Sequence, residues 1–261
     1  MENQVHPSAI ISENNVLFGN DIIIGPHVII EENVTIGDGT IIKANAYIGR
    51  DTTLGKNVKI FQGAVVGEAP QDLKYANEDT TTHVGDNTVI REYVTVHRGT
   101  TDRRKTVIGK NCLIMAYAHI AHDCIVGDQV IIANSCNLGG HVVIGSHVII
   151  GGMVGIHQFC HIGDHAFVAG GFRISQDIPP YIRASKYPLA FNGLNAVGLR
   201  RRGMSTETIR DIKRAYKLIY RSTYNVREAV EILKQKDKNS PEVLNIIQFI
   251  QSSPRGIIRG K

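Results

Sequence analysis

Three short segments of the chain carry side chains able to move a proton, and they recur at an interval of eighteen residues: Ala121-His122-Asp123, Gly139-Gly140-His141 and His157-Gln158-Phe159. An imidazole beside a carboxylate is what general-base chemistry requires, because the carboxylate fixes the ring tautomer and stabilises the imidazolium that forms. The paired glycines of the middle segment leave a notch and a backbone N–H that an oxyanion can approach. No serine or cysteine nucleophile falls in these segments, which favours direct transfer between two bound substrates over a covalent enzyme intermediate. The interval matters only if some element brings every eighteenth residue to one edge.

That element is a repeat of six. From Phe18 to Ile174, 24 of 27 positions spaced by six hold a bulky apolar residue, the exceptions being Asp72, Glu78 and Asp102. Neither a helical period of 3.6 nor simple strand alternation produces such a series. A small or β-branched residue stands two positions earlier, as at Val28, Thr40, Ala46, Val58, Ala118 and Val148, and thirteen of the 24 are followed directly by Gly, which suits a corner needing an open backbone conformation. Short strands turned at regular corners, three hexads to a triangular coil, describe a parallel β-helix in which residues eighteen apart stack. Eight coils at about 4.8 Å each make a prism roughly 40 Å tall. The period leaves the hand open, and the general crossover rule would make it right-handed.

Coil arithmetic sorts the remaining candidates. One edge collects His122, Asp123, His141, His157 and Gln158, although polar corners also exist for solvation alone. His147 and His165 form a column on another edge and read as ordinary surface histidines without an acid or a glycine notch. His83 and His119, thirty-six residues apart, suggest a metal column, but inward-facing Cys124 stands where a third ligand would be wanted, so no metal is expected. Cys112, Cys124, Cys136 and Cys160 share the small-residue phase and are expected to be reduced core residues, with no pair close enough for a disulfide.

The repeat is interrupted by loops at 67–83 and 97–107, the kind of ordered excursion where binding residues sit. It stops after Ile174, and Pro179-Pro180 marks the boundary between a β-helix domain, 1–180, and a helical domain, 181–261. There a loop is expected from Tyr181 to Arg202. Helices follow Ser205, Asn225 and Ser240-Pro241, with Glu228 completing a capping box, and should cover the open edges of the last coil.

The 261 residues include 29 Lys plus Arg against 24 Asp plus Glu, for a net charge of +5. That balance suits an acidic partner; nucleic acid is disfavoured because neither interleaved aromatics nor a groove-reading helix is present. A mean hydropathy of -0.07, a polar start and the lack of an apolar run near 18 residues argue for a soluble, cytoplasmic protein without signal peptide or membrane anchor.

Several segments together carry a family resemblance. They are the hexads, Gln71-Asp72-Leu73-Lys74-Tyr75, His97-Arg98-Gly99-Thr100, the run Ala118 to Cys124, His157-Gln158-Phe159 and Gly198 to Gly203. On these the chain resembles the acyl carrier protein:UDP-N-acetylglucosamine O-acyltransferases of lipid A biosynthesis, over essentially its whole length. The resemblance implies a left-handed β-helix, a homotrimer with sites between neighbouring prisms, and transfer of an (R)-3-hydroxyacyl chain from acyl carrier protein to the glucosamine 3-hydroxyl of UDP-N-acetylglucosamine. It implies His122 as base, Asp123 as its orienting group and the Gly140 N–H as oxyanion donor. Asp72, Lys74, His119, His141 and His157 match sugar and substrate positions; Gln158, Asn195, Arg201 and Arg202 match those near the nucleotide. Gly170 matches the position that limits acyl length, and its small size argues for a long chain. Val197 departs from the acid often found there. No metal or free cofactor is implied, since the phosphopantetheine arrives on its carrier.

Rival readings are the related N-acyltransferase, which resembles this family with an added N-terminal uridine-binding domain, an acetyl-CoA-dependent acetyltransferase, and a non-catalytic trimeric scaffold. The acetyltransferase reading gives no reason for the 71–75 loop or the capping helices.

Overall fold

The computed structural model describes residues 2–235 and 238–260. Strands, most of two residues, stack into three sheets of eleven, nine and eight strands, parallel throughout except for the last strand of the first sheet, and these are the faces of a left-handed triangular prism. The first sheet runs through Ile131–Ile132, the second through His119–Ile120 and the third through Ile125–Val126, so the catalytic candidates at 121–124 lie on the edge between the second and third. The eighteen-residue register holds in the unbroken stretch, with His119 opposite Asn137 and Asn137 opposite Gly155. From Ile23–Ile24 onward the second residue of each two-residue strand is buried: Ile36, Ile60, Ile90, Ile114, Leu138 and Ile162 are all at most 1% exposed. Each such side chain contributes about 1.5–3 kcal/mol of transfer free energy before chain entropy is subtracted.

The prism begins earlier than the hexad count from Phe18 suggests, with strands at Gln4–Val5 and Ile10–Ile11 pairing to Ile23–Ile24 and Ile29–Ile30. The first interruption also narrows, because Val65–Glu68 and Thr81–Val84 are strands; the second shrinks to 98–104, between Thr95–His97 and Lys105–Ile108.

Corner glycines serve a different purpose from the one expected. Apart from Gly67, those following the core aliphatics, such as Gly37 and Gly127, have no positive φ; a Cβ on either of these two would lie 2.6 or 2.8 Å from the backbone of the next coil. They permit close stacking. The left-handed conformation falls three residues after the core aliphatic, at His27, Asn45, Asn57, Asn87, Asn111, Asp123, His141 and His165, with φ between 55 and 63°. Asn, Asp and His are the side chains that tolerate this region best. Two site candidates, Asp123 and His141, are thus corner residues whose side-chain direction is set by the fold.

All four cysteines are buried and free. The thiols of Cys112, Cys124 and Cys136 donate to the carbonyls of Gly127, Gly139 and Gly151 at 3.1, 3.2 and 3.0 Å. Burial pushes the Cys124 thiol up to about 12, far from a reactive thiolate.

Beyond the prism, the segment expected as a loop from Tyr181 to Arg202 is structured. Strands Ile182–Ser185 and Ala190–Leu194 form an antiparallel pair, and Ile182–Ser185 adds to the first sheet, Phe167 opposite Arg183. The open edge of that sheet is therefore covered by a hairpin, where helices were expected. A short helix α1, Ala196–Arg201, follows, then α2, Thr206–Arg221, α3, Val226–Lys234, and α4, Pro241–Gln251. Ser205 and Ser240 cap α2 and α4, and Asn225 with Glu228 closes the capping box of α3. Tyr216 of α2, fully buried, donates its hydroxyl to the Pro180 carbonyl at 2.6 Å, and Ser253 donates to buried Asp177, anchoring the helices to the last coil.

Candidate active site

A cleft of about 510 Å³ opens on the edge between the second and third sheets, lined by His97, His119, His122, Gly140, His157 and Gln158 among others. His122 lies in its wall with 14% of its side chain exposed, and its Nδ1 is 2.8 Å from Asp123 Oδ2. Asp123 is completely buried. Burial pushes its carboxyl up, but hydrogen bonds from His122 and Thr100 outweigh that and hold it below the usual carboxylate range. With Asp123 ionised, His122 donates from Nδ1, which leaves Nε2 as the basic atom.

Nε2 lies over Gly140. A Cβ there would meet His122 Cε1 at 2.6 Å and Nε2 at 2.7 Å, so only glycine lets the ring adopt this pose. The Gly140 N–H has no acceptor within the chain among the described residues. At equivalent corners a side chain from a neighbouring coil caps this N–H: Asp38 for Asn20, Asp86 for Lys56, Asp128 for Lys110, Asp164 for Ser146. At Gly140 the donor is left facing the cleft beside the basic nitrogen. That is the arrangement of a general base next to an oxyanion donor.

Burial biases three of the surrounding imidazoles, His97, His119 and His141, towards the neutral form. Burial lowers His119, and the charge of His122 adds to the effect; His119 Nδ1 meets the Thr95 hydroxyl at 2.7 Å. His97, 4% exposed and packed edge-on against His119, is lowered to about 4 by burial and its histidine neighbours. His141 is 8% exposed, stacked on Phe159 with ring centroids 4.4 Å apart, and lowered by burial against the opposing pull of Asp123. Its Nδ1 lies 3.1 Å from Asp102, close but without hydrogen-bond alignment. Ring nitrogens of His122 and His141 and a carboxylate oxygen of Asp123 fall within 4.8 Å of one another, near enough for a metal ion. Both Asp123 oxygens already accept hydrogen bonds from the 98–104 loop, however, so this donor set fits a proton relay better than a coordination shell. His83 and His119 lie on different sheets, because the intervening loops break the register, and form no metal column.

The residues nominated from sequence divide between two edges. His119, His122, Gly140, His157 and Gln158 line the cleft, with Asp123 and His141 directly behind it. Asp72 and Lys74 do not line it; Asp72 Oδ1 accepts from the Lys74 N–H in a tight turn, and the neighbouring Gln71 lines the cleft instead. Asn195 lies on the edge between the third and first sheets, where its amide caps α1 and donates to the His165 carbonyl at 2.9 Å. The cap has room because residue 198 is glycine. Arg202, half-buried, is close enough to His147 and His165 to help lower both, while Arg201 is exposed.

This corrects the reading of His147 and His165 as ordinary surface residues without an acid. Their rings stack at 4.5 Å and continue onto Tyr181, Asp128 and Asp164 are near enough to His147 to act on it, and burial lowers His165 to about 4. The Nδ1 atoms of both, and Nη1 of Arg202, are buried without a partner. Gly170 is exposed outside the cleft, and a Cβ there would lie 2.8 Å from the Gly152 carbonyl oxygen, so its small size is also a packing requirement. Sequence reasoning missed Gln71, His97 and Thr100; all three lay in the segments Gln71 to Tyr75 and His97 to Thr100 that it had singled out as motifs.

Residues 177–258 match the family described as Udp N-acetylglucosamine O-acyltransferase, Domain 2, and residues 33–68 and 105–140 match the bacterial transferase hexapeptide repeat. The chain is 58% identical over 257 residues, 98% of each chain, to an acyl-[acyl-carrier-protein]–UDP-N-acetylglucosamine O-acyltransferase of Aquifex aeolicus, and 53% identical to one of Sulfurihydrogenibium over 97% of this chain and 94% of that one. Among solved structures, a UDP-N-acetylglucosamine acyltransferase from Bacteroides fragilis superposes with a TM-score of 0.95 at 43% identity, covering 98% of this chain and all of that one.

Proposed function

The chain belongs to the acyl-[acyl-carrier-protein]–UDP-N-acetylglucosamine O-acyltransferase family, and from that premise we propose that it transfers an (R)-3-hydroxyacyl chain from acyl carrier protein to the 3-hydroxyl of UDP-N-acetylglucosamine, the first step of lipid A biosynthesis. The observation that carries the mechanism is the His122 ring, tied at Nδ1 to buried Asp123 and laid over Gly140 with its uncapped N–H.

In this reading His122 Nε2 takes the proton of the sugar 3-hydroxyl as its oxygen attacks the thioester carbonyl. The Gly140 N–H holds the oxyanion of the tetrahedral intermediate. Collapse breaks the carbon–sulfur bond, and the departing pantetheine thiolate receives the proton from His122. No enzyme-bound acyl group forms, and no metal or free cofactor takes part. Asp123 keeps His122 in the donating tautomer at Nδ1 and balances the imidazolium.

The two-edge division of the nominated residues supports a trimer in which one prism supplies the His122 cleft and its neighbour supplies Asn195, Arg201 and Arg202 to the nucleotide. A groove of about 350 Å³ on the helical part, floored by Phe191, Leu194 and Tyr216 and rimmed by Arg200, Lys213, Lys217 and Arg221, suits the acidic surface of acyl carrier protein. A cytoplasmic reaction goes with this reading, since its substrates are a nucleotide sugar and an acyl carrier protein. No helix among the described residues is long and apolar enough to cross a membrane.

The test is incubation of the purified protein with UDP-N-acetylglucosamine and a series of (R)-3-hydroxyacyl carrier proteins, with the UDP-linked product followed by mass spectrometry. A 3-O-acyl product peaking at one long chain is expected. Product from acetyl-CoA alone, or acylation only of a 3-amino sugar, would overturn the assignment.

A further inference from the structure

The loop at 98–104 interrupts the prism one coil before His122, and its contacts converge on one carboxylate. Thr100 donates its hydroxyl to Asp123 Oδ2 at 2.6 Å and its N–H to both carboxylate oxygens at 3.1 Å. The Arg103 N–H donates to Oδ1 at 3.2 Å, and the Asp123 N–H is taken up by the Thr106 hydroxyl at 2.8 Å. The loop is itself fixed. Arg98, 3% exposed, donates from Nε to the Gly67 carbonyl at 2.9 Å, and a side chain at Gly99 would collide with the backbone of Lys105.

We propose that Thr100 is a positioning residue for the transfer reaction: through Asp123 it sets the orientation and basicity of His122, and the 98–104 loop exists to deliver it. This rests on the assignment of His122 as the base. Oδ2 is the oxygen that accepts from His122 Nδ1, so the Thr100 hydroxyl and the catalytic ring share one acceptor atom. The donors the loop offers are neutral. A lysine or arginine bonded to the carboxylate would cancel the charge that an imidazolium needs; the Arg103 guanidinium is instead directed to the Asp123 backbone carbonyl at 2.9 Å. The carboxylate is thereby immobilised in the interior while its charge remains available to His122.

Other groups facing the pair are His141, with Nε2 3.8 Å from Asp123 Oδ2, Asp102 beside His141, Arg103, and the neutral His97 and His119 of the cleft. None is replaced in the test. It compares Thr100→Val, Thr100→Ala and Thr100→Ser with the wild type in kcat, KM for both substrates and the pH profile of kcat/KM, with melting temperature alongside. Removing a donor from Oδ2 makes the carboxylate more basic and favours the imidazolium, so the acid limb of the profile moves to higher pH in the valine and alanine variants. Their kcat falls by roughly tenfold to a hundredfold, as expected for a lost hydrogen bond to a charged group, while KM for UDP-N-acetylglucosamine stays within about twofold. Serine restores most of the rate and the original profile. A raised KM with unchanged kcat and profile, or serine as damaging as valine, would overturn the proposal and make the loop a binding or structural element. A wild type inactive on UDP-N-acetylglucosamine would instead strike at the functional assignment beneath it.

Discussion

Replacing Gly140 by alanine tests the geometry of the site at its tightest point. The new Cβ would lie 2.6 Å from His122 Cε1 and 2.7 Å from Nε2, whereas carbon contacts settle near 3.5–4.0 Å. The ring must therefore retreat by about 1 Å, but on its far side it is held at 2.8 Å by Asp123. Gly140 has no positive φ, so alanine brings no backbone strain, and the N–H that holds the oxyanion is retained. The loss is confined to the position of the base, and a displacement of about 1 Å costs on the order of a hundredfold in rate. Steady-state kinetics with acyl carrier protein substrate, and a melting curve, separate the two effects. A fall in kcat of about two orders of magnitude with a melting temperature within a few degrees is expected. A kcat within threefold of wild type in a folded variant would refute the claim that Nε2 over Gly140 is the working pose.

Charge reversal on the helical groove, Lys213→Glu with Lys217→Glu, should raise KM for acyl carrier protein about tenfold or more at low salt, less at high salt, and leave KM for UDP-N-acetylglucosamine unchanged. Gly127→Ala places a Cβ 2.8 Å from the Gly145 carbonyl carbon in the next coil; it should lower the melting temperature by several degrees, measured by scanning calorimetry. His165 is lowered by burial from 6.5 to about 4, so the unfolded chain takes up its proton first. The stability it contributes is present above pH 6.5, is lost as pH falls towards 4, and is constant below that. Denaturant titrations of His165→Gln should show a shallower decline across that window.

The hexad series gave the prism directly, since a period of six over 150 residues has few physical realisations, and the register then placed His122, Gly140 and Gln158 on one edge. Where hexads were interrupted the arithmetic lost phase, which is why His83 and His119 ended on different sheets. Corner glycines were legible as corners but not as close-packing positions, because the left-handed residue is a neighbour tolerant of positive φ, such as Asn57 or Asp123. The hairpin at 182–194 was illegible because its first strand alternates over only four residues, Ile182 to Ser185, and its second, Ala190–Leu194, does not alternate; both are shaped by packing on the last coil. Thr100 could not be found by spacing at all: it reaches Asp123 from a loop whose path no periodicity describes.

The central claim is that His122 moves the proton in a single direct transfer. Its most direct test is the single-turnover rate of His122→Ala at saturating substrates, with the affinity for UDP-N-acetylglucosamine measured by calorimetry and any acylated protein sought by intact mass. A rate lower by about a thousandfold, nucleotide-sugar affinity within a few fold of wild type and no acyl adduct in either protein are predicted. A variant within tenfold of wild type, or an acyl-enzyme trapped in the wild type, would contradict the account.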